Sequence, residues 1–251
     1  MSAAEKVIDI TSRLPNFTDS LSRFTEQALS PEEFQWQCTE ATRKEAVEIY
    51  AEQRRRASDV VLGRAAIPSR FAQKTLSSYE PSNPQQARIK AIVEAYATNF
   101  AQDAGVNGVS LILCGGPGTG KTHLGCGVAN ELLKQGFSAL YTTAPGLVRD
   151  IRATWAKDSE RTETDVIKAF IAPDLLIIDE IGVQVGSADE KIRLFDVINA
   201  RYEQVKPLLI ISNLDVKGVV EYLGERAADR LRENGGQALA FTWGSYRRNA
   251  Q

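Results

Sequence analysis

From Gly115 to Thr122 the chain reads Gly-Gly-Pro-Gly-Thr-Gly-Lys-Thr, a glycine, four residues, then Gly-Lys-Thr. The flanks give this pattern its force. Val109 to Cys114 is a mostly apolar run of strand length, and Leu124 to Gln135 carries a helical pattern. A strand, a glycine loop and a helix in that order form the context in which such a loop binds phosphate. Gly115, Gly118 and Gly120 let the backbone turn its N–H groups inward around an anion, where a Cβ would obstruct. The following helix adds unpaired N–H groups and a partial positive charge. The pattern assigns Gly115, Gly116, Pro117, Gly118, Thr119, Gly120, Lys121 and Thr122 to the phosphates of a nucleotide. Lys121 is expected to reach the β- and γ-phosphates and the Thr122 hydroxyl to ligate Mg²⁺. His123 joins the set by position, as a packing and hydrogen-bonding residue rather than an acid–base catalyst. As the only histidine it excludes multi-histidine metal sites.

Beyond the loop, short apolar runs alternate with helical patterns. Strands are expected at Ser138 to Thr142, Asp174 to Ile178, Leu208 to Ser212 and Gln237 to Phe241. Helices are expected at Gln85 to Gln102, Ala144 to Trp155, Thr164 to Ile171 and Ala188 to Val205, with one or two more between Asp215 and Asn234. With the strand before the loop this makes an α/β fold around a mainly parallel five-stranded sheet between helices. Ligands of such sheets sit at the carboxyl ends of the strands. The run Leu175-Leu176-Ile177-Ile178 ends in Asp179 and Glu180, so these carboxylates are expected to meet the phosphate loop. Asp179 is the second candidate ligand for Mg²⁺. Glu180 is placed to polarise an attacking water, the group that separates a hydrolase from a passive nucleotide sensor. Asn213 ends the next strand and faces either a γ-phosphate or the cap of the following helix.

Composition sets bounds. The chain has 251 residues, 43% hydrophobic and 25% charged, as in ordinary globular proteins. Its formal net charge of -2 provides no global basic field, so any nucleic-acid site must be local. Cys38, Cys114 and Cys126 match neither a disulfide framework nor metal-ligand spacing, and Cys114 and Cys126 fit as small core residues. No long apolar run or signal-peptide pattern is present, which points to a cytoplasmic protein without a membrane partner.

Two segments are expected, 1–62 and 63–251. Ser30-Pro31-Glu32-Glu33 is a helix start signal, and a long helix with an imperfect apolar stripe is expected from Pro31 to about Leu62. One helix cannot bury a core alone, so it packs on the main domain or holds a partner. Gly63 to Pro84 is punctuated by prolines and carries Phe71 and Tyr79, either against an adenine or as an apolar clasp. Arg226 and Arg230 share a helix face and are candidates to reach a neighbouring subunit's γ-phosphate, or else an exposed salt-bridged face. Arg247 is placed to fold back over the phosphates.

Five blocks carry a family resemblance: Gly116 to Leu124, Asp179-Glu180-Ile181-Gly182-Val183-Gln184, Ser212-Asn213-Leu214, Leu223-Gly224-Glu225-Arg226 with Asp229-Arg230, and Trp243-Gly244-Ser245-Tyr246-Arg247. Together they resemble the DnaC-type helicase loaders, in the DnaC/IstB group of AAA+ P-loop ATPases. The resemblance covers about Gly63 to Arg247. It implies a Mg²⁺-dependent ATPase domain at 63–251, preceded by a small helical extension at 1–62 that grips a replicative hexameric helicase and helps place it on single-stranded DNA. It assigns Asn213 as sensor 1, Arg230, with Arg226 as rival, as the arginine finger, and Arg247 as the sensor-2 arginine. It also implies ATP-dependent self-association, or a helicase-bound ring or spiral. The segment after the second strand is implied to touch DNA, and here it offers Arg149, Arg152 and Trp155, a basic set with one stacking aromatic. An IstB-type transposition ATPase and a nucleotide-gated binding module with little hydrolysis are the alternatives.

Overall fold

The computed structural model describes residues 66–183 and 187–246. The N-terminal segment 1–62 with its expected helix, and Arg247, lie outside the described residues.

After a 3-10 turn at Ser69–Phe71, the chain forms α1 (Pro84–Thr98), a short α2 (Ala104–Asn107), β1 (Leu111–Gly115), α3 (Lys121–Lys134), β2 (Ala139–Thr143) and α4 (Ala144–Ala153). There follow α5 (Glu163–Ile171), β3 (Leu175–Ile181), α6 (Ala188–Glu203), β4 (Leu208–Ser212), α7 (Val216–Leu223), α8 (Glu225–Arg232) and β5 (Gln237–Phe241). Local chemistry sets many of the boundaries. Asn83, Thr143, Thr162, Ser187 and Asp215 each cap the helix that follows with a side-chain oxygen. Thr162 and Asp165 complete a reciprocal capping box at α5. The stretch from Asp215 to Asn234 is two helices, because Gly224 at φ +84 breaks the turn between them.

The five strands lie in the order β2-β3-β4-β1-β5, and all neighbours are parallel. Alternate residues face opposite layers. Leu111, Leu113, Leu175, Ile177, Leu209 and Ile211 pack toward α1 and α3 in one buried cluster. Ile112, Leu176, Ile178, Leu208 and Ile210 pack toward α4 to α8 in the other. Covering both faces is what near-continuous apolar strands require. Cys114 and Cys126 are buried in these clusters, and burial pushes their thiols up to about 11 and about 12.

Arg201 of α6 is the largest fully buried side chain. Its guanidinium donates to the carbonyls of Phe170, Ile171, Pro173, Asp174 and Pro207, at 2.7–3.1 Å. Those carbonyls lie at the end of α5 and the entries to β3 and β4, so one charge ties three elements. Burial lowers its pKa to about 9.

Candidate nucleotide site

Strand order decides what meets the phosphate loop. β4 lies between β1, which feeds the loop, and β3, which carries Asp179 and Glu180. Asn213, just past β4, therefore sits between them at the carboxyl edge of the sheet. A cleft of about 660 Å³ is lined by Pro117 to His123, Asp179, Glu180 and Asn213 together with Arg70, Phe71, Lys74, Tyr79 and Tyr246. The motifs expected to converge do line one space.

The loop has the backbone its glycines imply. Gly115, Gly118 and Gly120 stand at φ +128, +75 and +99. A Cβ at Gly115 would lie 2.2 Å from the Phe241 carbonyl oxygen, and one at Gly120 would lie 2.5 Å from the Tyr79 ring. Only glycine satisfies both the dihedral and the close approach. Lys121 opens α3 and is 4% exposed. Its ammonium donates to the carbonyls of Gly115 and Gly116, both at 2.7 Å. Burial lowers its pKa, and the charge of Asp179 acts against that shift.

Asp179 is 6% exposed, and its carboxylate is fully engaged. Oδ2 accepts from the Thr122 hydroxyl at 2.8 Å and the Tyr141 hydroxyl at 2.9 Å, while Oδ1 accepts from the Glu180 N–H at 2.6 Å. Thr122 and Asp179, the expected Mg²⁺ ligands, are thus in direct contact. A hydroxyl beside a carboxylate is a hard oxygen donor pair, the chemistry Mg²⁺ takes. Among the described residues no group of three or more His, Cys, Asp and Glu side chains is placed to hold a metal ion.

β3 does not stop before the carboxylates, as the apolar run implied, but continues to Ile181. The pairing with β4 shifts between Ile178 and Ile181, and Glu180 takes φ +62 inside that irregularity. The bulge turns the Glu180 side chain into solvent at the cleft while Asp179 stays buried. Ser212 supports it, donating its hydroxyl to the Ile181 carbonyl at 2.7 Å. A residue in the left-handed region at a bulge is the kind of local strain found at functional sites.

His123 is a tether, as its position implied. Its Nε2 lies 2.9 Å from the Ser78 hydroxyl and 3.1 Å from the Thr75 carbonyl, and its ring meets Tyr79 edge-on. Burial lowers its pKa. Tyr79 is buried beneath Gly120 and packs edge-on against Tyr246 as well. Tyr141 had no place in the sequence reading. Its signal is a lone phenol on an otherwise aliphatic and threonine strand, and only the β2–β3 register brings it to Asp179. Burial and the Asp179 charge raise its pKa, so it remains a donor.

The arginines separate. Arg226 is exposed at the start of α8. Arg230 lies over the rings of Phe195 and Tyr202 at 5.2 and 5.3 Å, and borders a different, 350 Å³ cavity. Neither lines the nucleotide cleft of its own chain. At the segment after β2, Trp155 is 55% exposed but lies beyond α4, which ends at Ala153 because Thr154 and Trp155 close tighter turns. Arg152 is bidentate to Asp189, Trp155 donates to Glu163, and Arg193 stacks on Trp155 while pairing with both carboxylates. Arg149 is exposed on the same helix.

Parallel sheet order, glycine loop and paired carboxylates define a P-loop ATPase of the AAA+ type. The chain belongs to the family of IstB-like ATP binding proteins, whose model matches residues 13–229. The replicative helicase loader DnaC of Buchnera aphidicola subsp. Acyrthosiphon pisum (strain APS) is 34% identical over 187 residues, 74% of this chain and 74% of that protein. Among solved structures, a crystal structure of the DnaC helicase loader superposes with a TM-score of 0.62 at 21% identity, covering 70% of this chain and all of that one. The replication initiator DnaA bound to AMPPCP and single-stranded DNA gives 0.59 at 20% identity, covering 71% of this chain and 52% of that chain. These two likenesses concern the fold. Among the described residues, no helix is long and apolar enough to cross a membrane.

Proposed function

We propose that this chain is an ATP-driven loader of a replicative helicase, acting in the cytoplasm and helping to place that ring on single-stranded DNA. The observation that carries the reading is the 34% identity, over 74% of both chains, to a protein named replicative helicase loader DnaC. The cleft supplies the switch. Lys121 binds the β- and γ-phosphates, exchanging the Gly115 and Gly116 carbonyls for phosphate oxygens. Thr122 and Asp179 would hold Mg²⁺, which when bound neutralises charge on the phosphates. Glu180, turned outward by its bulge, polarises the attacking water, and Asn213 reads the terminal phosphate from between the two motifs. Arg247 is assigned the sensor-2 role.

An arginine of α8 completes the site of a neighbouring copy, so that hydrolysis depends on assembly. The exposed Arg226 is free for that work, whereas Arg230 must first leave Phe195 and Tyr202. Trp155 stacks a base, and Arg149 and Arg152 meet phosphates. Residues 1–62 form a helicase-gripping segment, and 63–251 the ATPase domain.

The test is co-elution with the cognate hexameric helicase on a sizing column, with and without ATP. Association, together with stimulated helicase deposition on single-stranded DNA, is the expected result. A second reading, an accessory ATPase of transposition, is favoured by the IstB-like family description. Retention of a transposase with no helicase association would establish it instead.

A further inference from the structure

We propose that Trp243 is a positioning residue for the phosphate site, holding the loop's N–H groups inward from the far end of the chain. This rests on the cleft being the nucleotide site. After β5 the chain packs against the loop as a short strap, Trp243 to Tyr246. The Trp243 indole Nε1 donates to the Thr119 carbonyl at 3.1 Å, and the Tyr246 backbone N–H donates to the Gly118 carbonyl at 3.0 Å. The strap lies so close that a Cβ at Gly118 would meet the Ser245 hydroxyl oxygen at 2.0 Å.

The consequence follows from peptide geometry. In a planar trans peptide the C=O and the next N–H point in opposite directions. Holding the Gly118 and Thr119 carbonyls against the strap therefore fixes the N–H groups of Thr119 and Gly120 on the side of the loop away from it. Those are donors an anion-binding loop needs in place before its ligand arrives. Lys121 cannot serve the same purpose throughout, because an ammonium that moves to phosphate gives up the Gly115 and Gly116 carbonyls. The strap's two bonds are independent of that movement. The strap is itself well founded: the Trp243 ring packs on Phe241 with centroids 4.8 Å apart, and the Tyr246 hydroxyl donates to the Glu80 carbonyl at 3.0 Å.

Trp243→Phe in the full chain tests the role, since it retains a ring against Phe241 while removing the indole donor along with part of the ring's bulk. Two quantities are measured on both chains, ATP affinity by calorimetry and the thermal unfolding midpoint without nucleotide. The expected result is a dissociation constant raised about 3- to 10-fold, because the loop must then be ordered as ATP binds, with the altered chain still folded at the assay temperature. Equal ATP affinity in the two chains overturns the proposal. So does an affinity loss that appears only where the altered chain is unfolded, which would make Trp243 a packing residue. Failure of the unaltered chain to bind ATP would remove the nucleotide site itself, a different outcome from failure of the strap.

Discussion

At the scale of the residue, the cleft combines groups of opposite tolerance. Lys121 is buried against carbonyls and a nearby carboxylate, so a neutral replacement loses the cation that the loop itself carries. Lys121→Ala is expected to weaken ATP binding at least ~10-fold, the scale of a charged hydrogen bond, as read by calorimetry. Glu180 is exposed at φ +62, and glutamine matches its size without its charge. Glu180→Gln should therefore spare ATP binding and slow hydrolysis by about 10²–10⁴-fold, the usual worth of a general base, in a phosphate-release assay. Unchanged turnover would take the base role away from Glu180. His123 provides a pH dependence with a definite sign. Burial holds its folded pKa below the unfolded value, so below the unfolded pKa of about 6.5 the unfolded chain binds more protons. Stability contributed by neutral His123 is complete above that pH and is lost as pH falls through the window beneath it. Denaturant melts from pH 7 down to 5 should show this slope, and His123→Gln should flatten it.

At the scale of the element, two arginines do work that sequence patterns disguise. Arg201 lies in the last turn of an apparently amphipathic helix, yet it is 0% exposed and donates to five carbonyls from three elements. Arg201→Met removes all five bonds and leaves buried acceptors unpaired, so a loss of at least ~3 kcal/mol in urea melts is expected. Arg230 ties α8 to Phe195 and Tyr202 of α6. Arg230→Ala should lower the unfolding midpoint, whereas Arg226→Ala should leave it in place and reduce only ATP-dependent self-association or stimulated hydrolysis. Mixing Arg226→Ala with Lys121→Ala tests the same point, because each can supply what the other lacks at one kind of interface. An unfolding midpoint lowered by Arg226→Ala and unmoved by Arg230→Ala would reverse the assignment.

At the scale of the whole molecule, the cleft draws on residues from Arg70 to Tyr246, and both buried clusters on residues from Leu76 to Phe241. The phosphate loop, the carboxylates, Asn213 and the arginines of α8 all lie within 63–251, so a chain beginning near Gly63 is expected to fold, bind ATP and hydrolyse it, while losing co-elution with the helicase. Helicase binding by that shortened chain would refute the division of labour between 1–62 and 63–251. The sequence alone determined the α/β alternation and the nucleotide loop, because both are local. An apolar run between capping residues can only be buried, and the dihedrals of Gly115, Gly118 and Gly120 are written in the absence of a Cβ. It also located Asp179, Glu180 and Asn213 toward the carboxyl edge of the sheet, where apolar runs give way to polar residues, although β3 itself runs on to Ile181. What only the tertiary structure decided is long-range. The insertion of β4 between β1 and β3 sets Asn213 between loop and carboxylates. The β2–β3 register brings Tyr141 to Asp179, a bulge separates buried Asp179 from exposed Glu180, and Trp243 reaches back across 124 positions to the loop. No local pattern encodes these contacts, because each depends on which strands pair and in what register.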